Sequence, residues 1–409
     1  MAENAKTPST ATPYLRRMIA RSRFVRFVLP SFAVAIAGSA CGGSASPAVR
    51  TPAPSEAAGA SAASPAPSAS TRPPLGRGMN LGDALEAPTE GEWGVVLQAE
   101  DFVAVKRAGF DHVRVPVRFN AHAAAAAPYT VDATFFARVD WAIQQALANG
   151  LAVIVDFHHY MELMTNPDEN RDRFLGIWKQ VAERYRTQPD SVYFELLNEP
   201  NGALVADKWN AIAADAMRIV RASNPTRAVV MEGVFWASAK NLRDTLVVPD
   251  GDPNVVGSFH MYQPILFTHQ GAPFMGPEYQ TRGVVFPGPP PTPLTPVPGA
   301  ASVQWVNHWF QRYDEASAET NPSGPRTIAE ELEMAKVWAD RHHLPVYLGE
   351  FGADDVADAD SRARWTRMVR TAAEQRGFSW AYWDDGGSFK ALDRATHTWI
   401  PYLKAALLE

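Results

Sequence analysis

The chain has 409 residues, 46% of them hydrophobic and 11% aromatic, which is ample for a large buried core and excludes a wholly disordered or fibrous polymer. Its formal net charge is −6, and the first forty residues hold Lys6, Arg16, Arg17, Arg21, Arg23 and Arg26 against Glu3 alone, so the remainder is more acidic still. A body of that sign repels phosphate backbones, and no nucleic-acid partner is expected. The single cysteine, Cys41, excludes an internal disulfide and a thiolate metal cluster.

Residues 16–26 carry five arginines, and Phe27 to Ala37 is an apolar run broken only by Pro30 and Ser31, too short for a permanent membrane span. Residues 1–40 therefore look like an export signal. The small residues Gly38, Ser39 and Ala40 before Cys41 resemble a lipobox, although Gly38 stands where leucine is preferred. Cys41 is the expected lipidation site, and that anchor the only expected contact with a membrane; the alternative is an ordinary secretory signal. Either way the expected location is outside the cytoplasm, in the cell envelope or secreted. Residues 41–74 are almost entirely Ala, Ser, Pro, Gly and Thr, too poor in large apolar groups to fold, and are expected to be a disordered linker. Residues 75–409 are patterned throughout and predict one catalytic domain, expected to be a monomer.

In chain order, apolar or aromatic runs fall at 75–82, 111–117, 151–157, 191–197, 227–232, 254–259, 345–348 and 378–383, each the length of a buried strand. Helix-period segments lie between them. Phe136, Val139, Ile143, Ala146 and Leu147 precede Asn149-Gly150, and Trp365, Met368, Val369, Ala372 and Ala373 precede Gly377. Strands alternating with helices demand a parallel sheet, closed as a (β/α)8 barrel or open and doubly wound. Each run ends in polar residues: Arg114, His158-His159, Asn198-Glu199, His260, Glu350, Trp383-Asp384. That pattern favours the closed α/β (β/α)8 TIM barrel, in which every strand points at one shared mouth. A stretch at 264–326 after the sixth strand, Pro-rich from Pro287 to Pro298, exceeds any ordinary connection and is expected to overhang the cleft.

Glu199 follows the fourth run and Glu350 the seventh, so two carboxylates are expected to face each other across the mouth. Cleaving a glycosidic acetal needs one carboxylic acid to protonate the leaving oxygen and one carboxylate to meet the positive charge at the anomeric carbon. Structural ion pairs also occupy strand ends, and on these two residues alone both readings stand. The surrounding motifs are Gly78-Met79-Asn80-Leu81-Gly82, Arg114-Val115-Pro116, Asp156-Phe157-His158-His159, Leu197-Asn198-Glu199-Pro200, His260-Met261-Tyr262, Gly349-Glu350-Phe351-Gly352 and Trp380-Ala381-Tyr382-Trp383. Their order resembles glycoside hydrolase family 5, the retaining endo-glycanases of the cellulase type, and two further segments, around Glu86 and around His269, are most similar to a bacterial glucanase and mannanase branch.

That resemblance implies a covalent glycosyl-enzyme route with Glu199 as acid/base and Glu350 as nucleophile, on a β-1,4-glucan or, alternatively, a mannan. It implies that Arg114 and Tyr262 hold Glu350 ionised, that Glu199 starts protonated, and that His260 assists it. Asn198 is implied to meet the sugar 2-hydroxyl, Trp383 to stack under the cleaved sugar, and Asn80, Glu86, His158, His159, His269 and Trp236 to line the subsites. Asp384-Asp385 and Phe274 depart from the branch, which bears on sugar preference. No cofactor or metal is expected, and the expected partner is a polysaccharide or oligosaccharide substrate. Two rivals remain: a glycan-binding barrel without turnover, and a metal amidohydrolase using His158, His159 and His260. The second is disfavoured because adjacent strand residues point to opposite faces.

Overall fold

The structure, a computed structural model, describes residues 75–409; the expected export signal, Cys41 and the linker lie outside the described residues. Strands β1 (Arg77–Asn80), β2 (His112–Val117), β3 (Ala152–Phe157), β4 (Val192–Glu195), β5 (Val229–Glu232), β6 (Val255–Met261), β7 (Val346–Phe351) and β8 (Ser379–Tyr382) pair in parallel and in order, with β8 returning to β1. The eight expected strands are all present and the barrel is closed. Outside it run α1 (Ala99–Ala108), α2 (Ala133–Ala148), α3 (Pro167–Arg184), α4 (Ala206–Ser223), α5 (Ala239–Thr245), α6 (Pro325–His342), α7 (Ala359–Gln375) and α8 (Pro401–Leu408).

The helices form for reasons visible locally. Asp132 caps α2 by accepting from the Phe135 amide at 2.9 Å, and Phe136, Val139, Ile143 and Ala146 are buried on its inner face. Asp358 caps α7 at Ser361, and Trp365, Val369 and Ala373 are its buried stripe. Burying a large side chain of this kind contributes about 1.5–3 kcal/mol relative to leaving it exposed. Past the end of α7 the chain turns at Gly377, whose φ of +75° suits a residue without Cβ.

Strand alternation sets two layers inside the barrel. Ile154, Tyr193, Val230, Val256 and Tyr347 belong to a small apolar cluster with Leu75, Ala228 and Ala381, while Val153, Phe194, Met231 and Leu348 face the helices. Two residues beyond the inward apolar positions come Asp156, Glu195 and Glu232, each at the same parity and each fully buried. An apolar plug therefore carries a polar layer at the carboxyl ends of the strands.

Two strands run further than the sequence indicates. β6 carries a register shift between Phe259 and His260, and β7 continues to Phe351, so His260 and Glu350 are paired residues within strands. A Cβ at Gly349 would come within 3.0 Å of both His260 Nε2 and Ser258 Oγ, so glycine is what lets the histidine ring lie there. The long insertion is only partly an overhang. Its first residues reach the mouth, where the His269 ring lies 4.9 Å from that of Tyr262 and Phe274 6.0 Å from His269. The contacts of the Pro-rich stretch run elsewhere: Gly288 N to Ser323 O, Leu294 N to Asp314, and, just before it, Phe286 N to Ser361 on α7.

Candidate active site

Arg114, on β2 and fully buried, organises the floor of the mouth. Its Nε and Nη2 donate to the two oxygens of Glu195 at 2.7 and 3.0 Å, a bidentate pair between β2 and β4. Nη1 donates to Glu350 Oε1 at 2.7 Å and to Asn80 Oδ1 at 3.0 Å, and Nη2 reaches Asn198 Oδ1 at 2.8 Å and Asp156 Oδ2 at 3.0 Å. One guanidinium thereby fixes residues from β1, β3, β7 and the end of β4. Glu350 Oε2 accepts from the Tyr262 hydroxyl at 2.9 Å.

Glu199 stands across from Glu350. His260 lies between them, with Nδ1 2.9 Å from Glu199 Oε1 and 3.5 Å from Glu350 Oε2. One oxygen of each carboxylate and a ring nitrogen of His260 come within 4.8 Å of one another. Behind the ring, His260 Nε2 is 2.8 Å from Glu232 Oε1, an ion-pair contact bent away from the line of a straight hydrogen bond. Glu199 itself has a φ of +48° and its amide donates to Glu232 Oε2 at 2.6 Å.

The charges differ from the expectation that Glu350 is held down and Glu199 starts protonated. Burial pushes the Glu350 carboxyl up, and the opposing pull of His260, Arg114 and Tyr262 does not cancel it. Burial also pushes Glu199 up, but the hydrogen bond and charge of His260 outweigh it, and Glu199 ends below the usual carboxylate range. His260 would lose its proton through burial alone; the anions Glu232 and Glu350 reverse this and raise it well above an ordinary imidazole. Glu232, desolvated, rises to about 7. Two-sided contact between His260 and carboxylates is the physical reason for the reversal.

The remaining expected residues are spread around the mouth and beyond it. Trp383 and His158 stack with ring centroids 5.7 Å apart and planes 9° from parallel, forming one wall, and His158 Nδ1 is bonded to Asp156. His159 is half-buried with its ring 5.6 Å from Trp93. The premise that adjacent histidines diverge does not hold: His159 has a φ of +44°, past the end of β3, and the two rings meet at 4.4 Å. Among the described residues, the groups of three able to share a cation are Glu195–Glu232–His260, which is buried, and Glu199–His260–Glu350; His158 and His159 belong to neither. His269 is buried, pairs with Thr268 Oγ1 at 3.0 Å and backs Tyr262. Phe235 and Trp236 project into solvent from the loop after β5.

Asn80 and Glu86 brace the site from within. Asn80 Nδ2 donates to Gly349 O and Tyr382 O at 2.9 and 3.2 Å. Glu86 is 1% exposed, its two oxygens accept from the amides of Asp83 and Ala84, and desolvation raises its carboxyl to about 8. Sequence reasoning did not single out Glu195 or Glu232. The available signal was a carboxylate at the last position of an otherwise apolar strand, which must find a partner when buried.

Residues 76–388 match the family model for Cellulase (glycosyl hydrolase family 5). Endoglucanase H of Acetivibrio thermocellus is 32% identical over 78% of the chain, which spans only 30% of that relative's length. Structures of Thermotoga maritima Cel5A in complex with cellobiose and with mannotriose are each 37% identical, with TM-scores of 0.70 and 0.69, and both comparisons cover 82% of this chain and 97% of that one. With the family model extending over most of the chain and over every residue of the mouth just described, the chain belongs to glycosyl hydrolase family 5.

Proposed function

We propose that the chain is an endo-β-1,4-glucanase that cleaves by the two-step retaining route, with Glu350 as nucleophile and Glu199 as acid/base. The observation that carries this reading is the approach of their carboxylate oxygens to within 4.8 Å. Retaining enzymes hold the two carboxyl groups about 5–5.5 Å apart, whereas inverting enzymes need about 6.5–9.5 Å to admit a water between carboxylate and sugar.

The geometry supports a definite division of labour. Glu350 Oε1 is held by Arg114 and Oε2 by Tyr262, which fixes the attacking oxygen toward the mouth and supplies positive charge as the carboxylate approaches the anomeric carbon. Glu199 takes a proton from His260 Nδ1 as the leaving oxygen accumulates negative charge, and passes that proton on; in the second step Glu199 draws a proton from the attacking water and returns it to His260 Nδ1, which restores the resting state. Asn198 Oδ1 is taken up by Arg114, leaving its amide N–H to donate to a sugar hydroxyl beside the nucleophile. Trp383 offers a flat apolar face to a pyranose ring, with His158 backing it and His159 and His269 on the neighbouring walls.

A mannan is the second reading, favoured because a 37% identical protein was crystallised with mannotriose as well as cellobiose. Matched gluco- and manno-oligosaccharides, with the product anomer followed by NMR as it forms, test both points. The β-anomer should appear first and the cello-series should turn over faster; initial release of the α-anomer removes the covalent route. The reading also includes export, with residues 1–40 as signal, 41–74 as tether and Cys41 acylated. Labelled fatty acid incorporated into the wild type and not into Cys41→Ser tests that part.

A further inference from the structure

Glu199 adopts a left-handed conformation that costs a non-glycine residue free energy, so something must hold it. Asn201 Nδ2 donates to its carbonyl at 2.8 Å, and its amide donates to Glu232 Oε2 at 2.6 Å. The other oxygen of the same carboxylate sits 2.8 Å behind His260 Nε2 and 3.4 Å from Ser258 Oγ. Glu232 is 0% exposed at the end of β5, and its own carbonyl is tied to Trp209 Nε1 at 2.8 Å, so it cannot touch a substrate.

We propose that Glu232 is a positioning residue for the acid/base: one oxygen holds the Glu199 amide in its left-handed turn, the other seats the His260 ring, and together they place the proton between His260 Nδ1 and Glu199 Oε1 where the leaving oxygen can receive it. Both roles call for an oxygen, and only a carboxylate has two. A carboxylate presents one oxygen that accepts from the Glu199 amide at 2.6 Å and a second anionic oxygen that faces the imidazole Nε2 as an ion pair at 2.8 Å. A glutamine at this position offers one carbonyl and one amine, so it satisfies either the Glu199 amide or the imidazole, never both. An amine facing Nε2 would require that nitrogen to be unprotonated and would send the ring proton to Nδ1. The groups facing Glu232 are His260 and Ser258 from β6, Glu195 and the Glu199 amide from β4 and its end, and, at longer range, Arg114 from β2 and Asp156 from β3. Among these, His260 is the one placed to move a proton to Glu199.

The inference rests on Glu199 being the acid/base, and its test separates the two ideas by leaving-group chemistry. A dinitrophenyl cellobioside needs no protonation of its leaving group, whereas a plain cello-oligosaccharide does. Glu232→Gln should lower kcat on cello-oligosaccharide about 10- to 100-fold with KM within about twofold. Its burst of dinitrophenol, which reports formation of the glycosyl-enzyme, should stay within about threefold of wild type, and the basic limb of its kcat/KM profile should move. Equal loss of both activities in a folded Glu232→Gln protein, or no loss of either, overturns the proposal. Wild-type protein that releases no dinitrophenol at all refutes the function and with it the positioning, whereas equal losses in Glu232→Gln on an active wild type refute the positioning alone. The wild type also supplies a check free of folding questions: 15N NMR of His260 should show Nε2 protonated throughout the active pH range, and an unprotonated Nε2 at neutral pH overturns the role of Glu232.

Discussion

Replacing Arg114 by lysine tests the floor of the site without removing its charge. The guanidinium reaches Glu195 through two nitrogens and Glu350, Asn80, Asn198 and Asp156 through the same fork, from 2.7 to 3.0 Å. An ammonium has three donors on one nitrogen and cannot span β4 and β7 together, so at least one buried carboxylate loses its partner. Breaking one member of a buried ion pair costs about 3–5 kcal/mol. With an unfolding entropy of about 2.1 cal/mol/K per residue over the described residues, which is roughly 0.7 kcal/mol/K, the melting temperature should fall by about 4–7 °C. The same change withdraws an aimed donor from the Glu350 oxygen, and kcat/KM on soluble glucan should fall about 10²- to 10³-fold. Calorimetry and initial rates on one preparation give both numbers. A lysine variant that melts within about 1 °C of wild type and keeps its rate within about threefold would refute the view that this one cation holds the mouth together.

Glu350→Gln should abolish glycosyl-enzyme formation, while Glu199→Ala should lose about 10²- to 10⁴-fold on unactivated substrate and recover with azide on a dinitrophenyl glycoside; recovery of Glu350→Gln by azide with retention would reverse the two roles. Glu86, raised to about 8 by burial, favours the fold while protonated, so that contribution is complete below the ordinary carboxylate range and is lost as the pH climbs through about 8. Melting temperatures of wild type should therefore decline between about pH 5 and pH 9 more than those of Glu86→Gln, and parallel curves would contradict it. Trp383→Ala should raise KM and lower kcat/KM by about 2- to 12-fold, the size of one aromatic stacking contact, with the pH profile unmoved; an unchanged kcat/KM would take the wall formed with His158 out of the binding site.

How much of this was legible in the sequence follows from what each feature depends on. Strands β2 to β8 are almost wholly buried and read as mainly apolar runs, so their order is plain from the residues alone, whereas β1, Arg77-Gly78-Met79-Asn80, holds one large apolar residue and is placed by the repeat of the unit. Glu199 and Glu350 could be placed because strand ends of a barrel converge. Their protonation could not, since it depends on Glu232 lying behind His260, a contact set by the register of β5 against β6 and by the shift at Phe259/His260. The approach of His158 to His159 depends on a positive φ at His159 that no side-chain pattern announces. The Pro-rich stretch was conspicuous by composition, and composition does not say that its contacts lead to Asp314 and Ser323.

In the proposed mechanism, the layer that holds Glu199 and Glu350 also keeps a proton on His260, within reach of Glu199 near neutral pH. Around Arg114 and His260 stand Asp156, Glu195, Glu199, Glu232 and Glu350, five carboxylates to two cations among the described residues. Carboxylates this close in a desolvated ring cannot all ionise, so part of the ring must keep its protons. Asp156 and Glu350 are pushed up by burial and by their neighbours' charge, and Glu232 to about 7. A mouth with equal numbers of cations and anions would hold a competent nucleophile and no mobile proton; an apolar mouth would hold neither. The excess of buried negative charge, which costs folding stability, holds a proton on His260 within one hydrogen bond of Glu199, which is what the proposed acid role requires at a pH where an isolated glutamate is fully ionised.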